Sequence, residues 1–187
     1  FNEIIPGIVD NQTRSGTYKL IDTCPSCGNK LEIKNTGTAN VLYCSNNDCP
    51  SKTLAKFVHF CSKNAINIDN CSEATLELLI NNGYIKTFID IYGLSEHKDK
   101  LIQLPGFGRK SVENLLLSIE NSRKVKLSNY IVALGIPGVG VAAAKAIADH
   151  FNQDYYAFEE AMRDDFDWTM LPDFGQKTSD VINQWWD

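Results

Sequence analysis

Leu104-Pro105-Gly106-Phe107-Gly108, Ile136-Pro137-Gly138-Val139-Gly140 and Leu171-Pro172-Asp173-Phe174-Gly175 repeat one pattern at intervals of 32 and 35 residues. An apolar residue and a proline lead into a corner, a second apolar residue follows it, and glycine opens the next segment. Apolar residues at helical spacing precede and follow each copy, so each reads as a tight turn between two helices. A fainter copy lies 36 residues upstream of the first, where Ile68-Asp69-Asn70-Cys71-Ser72 precedes Leu76, Leu78, Leu79 and Ile80. Asn70 and Ser72 stand there in place of the two glycines.

Around these turns the pattern from Ser51 onward is helical, beginning with Leu54, Phe57, Val58 and Cys61 on one face, and no convincing strand appears. The spacing predicts helices near 52–62, 72–82, 84–92, 96–102, 109–121, 126–134, 141–151, 155–163 and 176–186. Residues 52–187 thus read as an all-α domain of tandem repeats. The preceding segment differs. Cys24, Cys27, Cys44 and Cys49 are spaced C-x2-C-x16-C-x4-C, two half-sites that bring four thiolates to one tetrahedral zinc when the chain between them folds back. Pro25 tightens the first knuckle, and Gly28 lets backbone N–H groups approach the sulfurs. Leu31 to Lys34 and Val41 to Cys44 alternate as short strands around the turn-rich Asn35-Thr36-Gly37-Thr38, as in a zinc ribbon over 23–51. A disulfide pair or a redox CxxC are the competing readings of these cysteines. Residues 1–22, with Ile4, Ile5, Ile8 and Val9, look like the end of a β-domain and a linker. The fold class is therefore mainly α, with a four-cysteine zinc ribbon ahead of the helices.

The repeated turn has a chemistry. Its pattern is that of the helix-hairpin-helix motif, in which glycine permits a positive φ and the apolar residue (Phe107, Val139 or Phe174) plugs between the helices. The helix that follows begins with backbone N–H groups that lack an intrahelical acceptor and point out at the positive end of its dipole. Such groups bind phosphate oxygens. The candidate contacts are Gly106, Gly108, Arg109 and Lys110 in one copy, Gly138, Gly140 and Lys145 in the next, and Gly175, Lys177 and Thr178 in the last. Asp173 would repel phosphate, and the Asn70 copy has lost its glycines, so these two read as mainly structural. Phosphate contacts position a protein on duplex DNA without reading bases, which predicts binding without sequence specificity.

Composition limits the alternatives. A chain of 187 residues with 43% apolar content can bury a core. It has no run of about 18 apolar residues and no signal-like start, which predicts a cytoplasmic protein without a membrane partner. A start without Met, on an apolar segment, suggests a piece of something longer. The net charge of −5 conceals a gradient: residues 1–66 sum to +2, 67–130 to zero and 131–187 to −7. A general electrostatic attraction to DNA is excluded; binding must use local geometry and a few cations.

A zinc ribbon followed by four helix-hairpin-helix repeats resembles the C-terminal half of bacterial NAD-dependent DNA ligases. The likeness runs through Ile4-Ile5-Pro6, Cys24-Pro25-Ser26-Cys27-Gly28, Tyr43-Cys44-Ser45-Asn46-Asn47-Asp48-Cys49-Pro50, His59-Phe60, Ala65-Ile66-Asn67-Ile68-Asp69, Asn82-Gly83-Tyr84-Ile85 and Ala133-Leu134-Gly135-Ile136. The resemblance implies that residues 1–22 end an oligonucleotide-binding barrel and that the repeats encircle nicked double-stranded DNA, the protein being a monomer. It implies a parent enzyme that takes AMP from NAD onto a lysine, with Mg, passes it to the 5′-phosphate at a nick, and joins the 3′-hydroxyl. The K-x-D-G lysine motif of that adenylation step does not occur here, so NAD and Mg would be bound elsewhere in the parent and this chain would hold DNA without sealing it. The family's terminal BRCT domain is also not in this sequence. Asn70 and Ser72 depart from the family's glycines.

Other reactive side chains read as structural. Cys61 and Cys71 lie outside the zinc spacing and suit a core; His59, His97 and His150 show no carboxylate partner; Trp168, Trp185 and Trp186 suit packing. Two other functions fit the same modules: a non-enzymatic DNA repair or recombination scaffold, and a helical protein-interaction module, the latter favoured by the acidic last third.

Overall fold

The computed structural model describes residues 12, 16, 19–37 and 39–186. The expected β-domain end over 1–22 lies mostly outside them. The chain divides into two compact units, residues 1–50 and 51–187.

The first unit is a hairpin fastened at its open end. Strands β1 (Leu31–Asn35) and β2 (Asn40–Cys44) pair antiparallel, Leu31 opposite Cys44 and Asn35 opposite Asn40. The reversal is made by side-chain chemistry as well as by glycine. Asn35 Oδ1 accepts from the Gly37 amide at 2.7 Å, and Gly37 sits at φ 86°. Each strand is one residue longer than expected at this turn, because Asn35 and Asn40 complete the ladder. Outside the hairpin, Thr23 bridges to Lys30, and the Cys24 amide donates to Asn29 O at 2.7 Å. Ile33, Val41 and Leu42 remain exposed at 64%, 42% and 39%, so the described residues of this unit form almost no apolar interior.

The second unit is helical throughout: α1 (Pro50–Cys61), α2 (Glu73–Asn81), α3 (Phe88–Gly93), α4 (Lys98–Leu101), α5 (Arg109–Asn121), α6 (Leu127–Leu134), α7 (Val141–His150), α8 (Tyr155–Arg163) and α9 (Gln176–Trp186). The helix expected over 84–92 starts later, at Phe88. The cause is local: the Asp90 carboxylate accepts from the Lys86 and Thr87 amides at 2.8 and 2.7 Å, which fixes Thr87 as the cap. The chain then tightens into a 3-10 turn over Leu94–His97 before α4. Among the described residues, no helix is long and apolar enough to cross a membrane.

One continuous core runs through all the repeats, from Phe57 on α1 to Ile182 on α9. Its last part is aromatic: Phe151, Phe158 and Phe166 surround Trp168 with ring centroids 4.9 to 6.3 Å away. The indole is fully buried, and its N–H donates to Asn183 Oδ1 at 2.6 Å, which satisfies its one polar atom. Ser179, also buried, accepts from the Trp168 amide at 3.2 Å. The final helix is thereby docked by two hydrogen bonds and an aromatic cage. Trp168→Ala should cost about 3–5 kcal/mol, because the cage cannot close over the void. Denaturant unfolding checks this; a loss below about 1 kcal/mol would mean that the cage does not hold α9.

Candidate nucleic-acid interface and metal site

Every repeat turns through a residue in the left-handed region: Asn70 at φ 61°, Gly106 at 80°, Gly138 at 79° and Asp173 at 66°. In the last three copies the amide two residues after the proline donates back across the corner: Phe107 N to Leu104 O, Val139 N to Ile136 O, and Phe174 N to Leu171 O, at 3.0, 3.0 and 3.3 Å. Proline at the second place and positive φ at the third are the requirements of a type II turn. Asn and Asp are the side chains that tolerate this conformation best after glycine. The first and last copies therefore keep the left-handed corner, with a side chain where the two between them have glycine.

The second glycine obeys a different rule. Gly108 and Gly140 cap α5 and α7 in extended conformation, φ −103° and −87°, as does Ser72 ahead of α2 at −68°. None of them needs glycine for its backbone. A Cβ added at Gly108, Gly140 or Gly175 would meet nothing within 4 Å. Neither strain nor internal packing accounts for glycine at these exposed positions, which leaves the space outside them as the thing kept open.

What faces that space are amides. No side chain caps α5 or α7, and the first intrahelical bonds are Val112 N to Gly108 O and Ala144 N to Gly140 O. The amides of Arg109, Lys110 and Ser111, and of Val141, Ala142 and Ala143, precede those bonds at exposed or half-exposed positions. At the first repeat the same ground is occupied. Ser72 Oγ accepts from the Thr75 amide at 3.2 Å and lies 2.9 Å from the Thr75 hydroxyl, so this helix is capped from within the protein. Sequence reasoning passed over that cap, although Ser72-Glu73 ahead of an apolar run is a helix-start signature. Arg109, Lys110, Lys145 and Lys177 are exposed, and among the described residues none of them is in an ion pair. Thr178 is half-buried, with its amide given to Gly175 O at 3.0 Å.

The four cysteines of the first unit converge. Their sulfurs all lie within 4.8 Å of one another, with Cys24 to Cys49 at 3.9 Å and Cys27 to Cys44 at 3.6 Å. A tetrahedron of sulfurs about 2.3 Å from a central ion has edges of about 3.8 Å, so the cluster fits one metal ion, zinc included. Disulfide sulfurs would be about 2.05 Å apart, and no disulfide joins these four cysteines. Gly28, at φ 72°, folds the first knuckle and donates to Cys24 O at 2.8 Å. Backbone geometry favours ionisation on one side: a hydrogen bond from the Asn29 amide lowers Cys27 to about 6, whereas burial raises Cys44 to about 11. A divalent cation is what would let all four sulfurs be thiolates together.

Most of the remaining reactive groups are packed, with His150 exposed at the end of α7. Cys61 and Cys71 touch at 3.5 Å, Cys71 filling the plug position of the first turn. His59 Nε2 lies 2.6 Å from Val132 O and ties α1 to α6, while the His97 ring rests on Tyr84. Trp185 is 36% exposed, and Trp186 packs against the core.

Comparison with known proteins agrees with this geometry. Residues 65–121, which hold the first two repeats, match the SAM-like helix-hairpin-helix tandem family. Over nearly its whole length the chain is similar to bacterial DNA ligases. It is 41% identical over 93% of its length to a DNA ligase of Lachnoclostridium phytofermentans, and 41% identical over 86% to one of Ruminiclostridium cellulolyticum. A DNA ligase of Acholeplasma laidlawii is 35% identical over 96% of the chain. The chain spans about a quarter of the length of these ligases, 26%, 24% and 27% respectively.

Two measurements probe the site. The purified chain should carry one zinc per molecule by elemental analysis; chelation should abolish the hairpin's amide dispersion in NMR spectra and leave the helical circular dichroism largely intact. Metal-free protein with an ordered hairpin would defeat the assignment. Ser72→Ala should lower stability by about 1 kcal/mol, as loss of an N-cap does, without changing DNA affinity. A weakened affinity would show that the first hairpin contacts DNA after all.

Proposed function

We propose that this chain is the DNA-holding, C-terminal segment of an NAD-dependent DNA ligase. It binds nicked duplex DNA by its backbone while the remainder of the enzyme, with NAD and Mg, carries out adenylation and joins the 3′-hydroxyl to the 5′-phosphate. The observation that carries the reading is the pair of uncapped, glycine-fronted helix starts at Gly108 and Gly140, in a chain whose relatives are DNA ligases. Each offers consecutive amides at the positive end of a helix of ten residues or more, with exposed cations beside it. Amides carry no net charge, so this recognition tolerates an overall charge of −5.

Gly106, Gly108, Arg109 and Lys110 would grip one phosphate, and Gly138, Gly140 and Lys145 another. The fourth turn contributes Gly175, Lys177 and Thr178 more weakly, because Asp173 puts a carboxylate at its corner. The four cysteines would hold structural zinc, which fixes the small unit without entering the chemistry. Contacts of this kind leave base edges unread and suit an enzyme that must act at any nick.

The test is a salt titration of nicked-duplex binding, paired with Gly140→Ala. Wild-type affinity should fall by about 0.9 log units per log unit of salt for each phosphate neutralised. Gly140→Ala should fold with near-native stability, since its Cβ meets nothing in the protein, yet bind several-fold more weakly because the methyl group stands where phosphate must approach. Salt-independent or absent binding would instead favour a protein-interaction module.

A further inference from the structure

An open polar cleft of about 370 Å³ lies between the loop after α1, the end of α5 and the start of α6. Asn67, Ser118, Asn121, Lys124, Lys126 and Asn129 are among its lining residues. Nothing in the hairpin pattern pointed to it: Lys124 and Lys126 sit between repeats, in a segment with no corner and no glycine. Both lysines are exposed and, among the described residues, neither is in an ion pair, whereas neighbouring Arg123 is taken by Glu120 at 2.6 Å. Asp69 is the only carboxylate among the cleft's lining residues.

A second, smaller hollow of about 120 Å³ adjoins it, lined by Asn64, Ser128, Asn129, Val132, Val141 and Lys145. Asn129 lines both. Its Nδ2 donates to Asn64 O at 3.1 Å and to Ala65 O at 3.0 Å, pinning α6 to the loop and making a fixed rim between the two hollows. Val141 is the residue immediately after Gly140, and Lys145 lies one turn further along α7. Ser128, Asn129 and Lys145 thus stand between the third hairpin and Lys124 and Lys126, with Val132 and Val141 beside them. Three lysines with no ion pair among the described residues stand along this track, in a protein whose last third carries −7.

We propose that this cleft is a second site for the sugar-phosphate backbone, in which Lys124 and Lys126 hold phosphates of a strand whose neighbouring phosphate is held at Gly140. The inference rests on the duplex-holding function proposed above and extends the contact to a face that the repeat pattern does not mark. The ligand chemistry is a phosphodiester chain: spaced cations with amide and hydroxyl groups between them, and Ala65, Ile66 and Val125 as the apolar lining, the first two buried. Asp69 opposes the contact and limits its strength.

The test measures nicked-duplex affinity across a salt series for wild type, Lys124→Gln/Lys126→Gln, Asp69→Asn and Gly140→Ala, with folding followed by circular dichroism. The double variant should bind about tenfold more weakly at about 0.1 M salt, with a log affinity versus log salt slope shallower by up to about 1.8. Asp69→Asn should bind more tightly. If Gly140→Ala weakens binding while the folded double variant keeps wild-type affinity and slope, the cleft is off the DNA path and the proposal is overturned, the holding function surviving. If wild type does not bind nicked duplex, both fall together.

Discussion

The left-handed corner is the constraint on which the helical unit depends. The corner used in each repeat turns on one residue at positive φ, as a type II reversal requires, and each repeat supplies it. Asn70 and Asp173 meet the requirement with side chains where Gly106 and Gly138 meet it without them. Geometry is thus kept in all four repeats while chemistry is not. The corner fixes the direction in which the next helix starts; the residue after the plug decides whether that start is open, as at Gly108 and Gly140, or closed, as at Ser72. One architecture serves both as scaffold and as contact surface.

On the proposed reading, this separation lets an acidic protein hold a polyanion. The net charge of −5 is repulsive to a polyanion at long range, and much of the negative charge lies in the last third. Main-chain dipoles act over a few ångströms and are insensitive to net charge, so under the proposed function two helix starts would serve where a basic surface is missing. Exposed lysines then add local cations at the same places. A contact of this kind is short-ranged by construction, which would suit the proposed role of gripping a duplex already brought to it.

The cysteine unit meets a different physical problem. Fewer than 30 residues with exposed strands cannot bury enough apolar surface to offset their chain entropy, and small domains of this kind depend on metals or disulfides. Sulfurs already at tetrahedral spacing around a left-handed Gly28 knuckle show a backbone shaped for an ion. The helical unit needs no such fastening, because its core runs unbroken from α1 to α9.

Much of this was legible in the residues. Apolar spacing located the helices because each packs one face on a single core, and the cysteine spacing located the metal site because short knuckles fix where sulfurs can go. The turns were legible as glycine-rich signals, yet the sequence could not distinguish the two glycines of each pair. Only backbone torsions show that the first bears the positive φ and that the second merely leaves room. The late start of α3, set by the Asp90 carboxylate, and the internal capping by Ser72 depend on side-chain directions that residue type does not settle. The Lys124–Lys126 cleft was invisible for a further reason: it joins residues from 65 to 129 that only the packing of the loop after α1 with α5 and α6 brings together. Local pattern determined the elements and the ligands, because those follow from neighbours in the chain; the tertiary structure decided which amides and cations share a surface, because that follows from how distant helices meet.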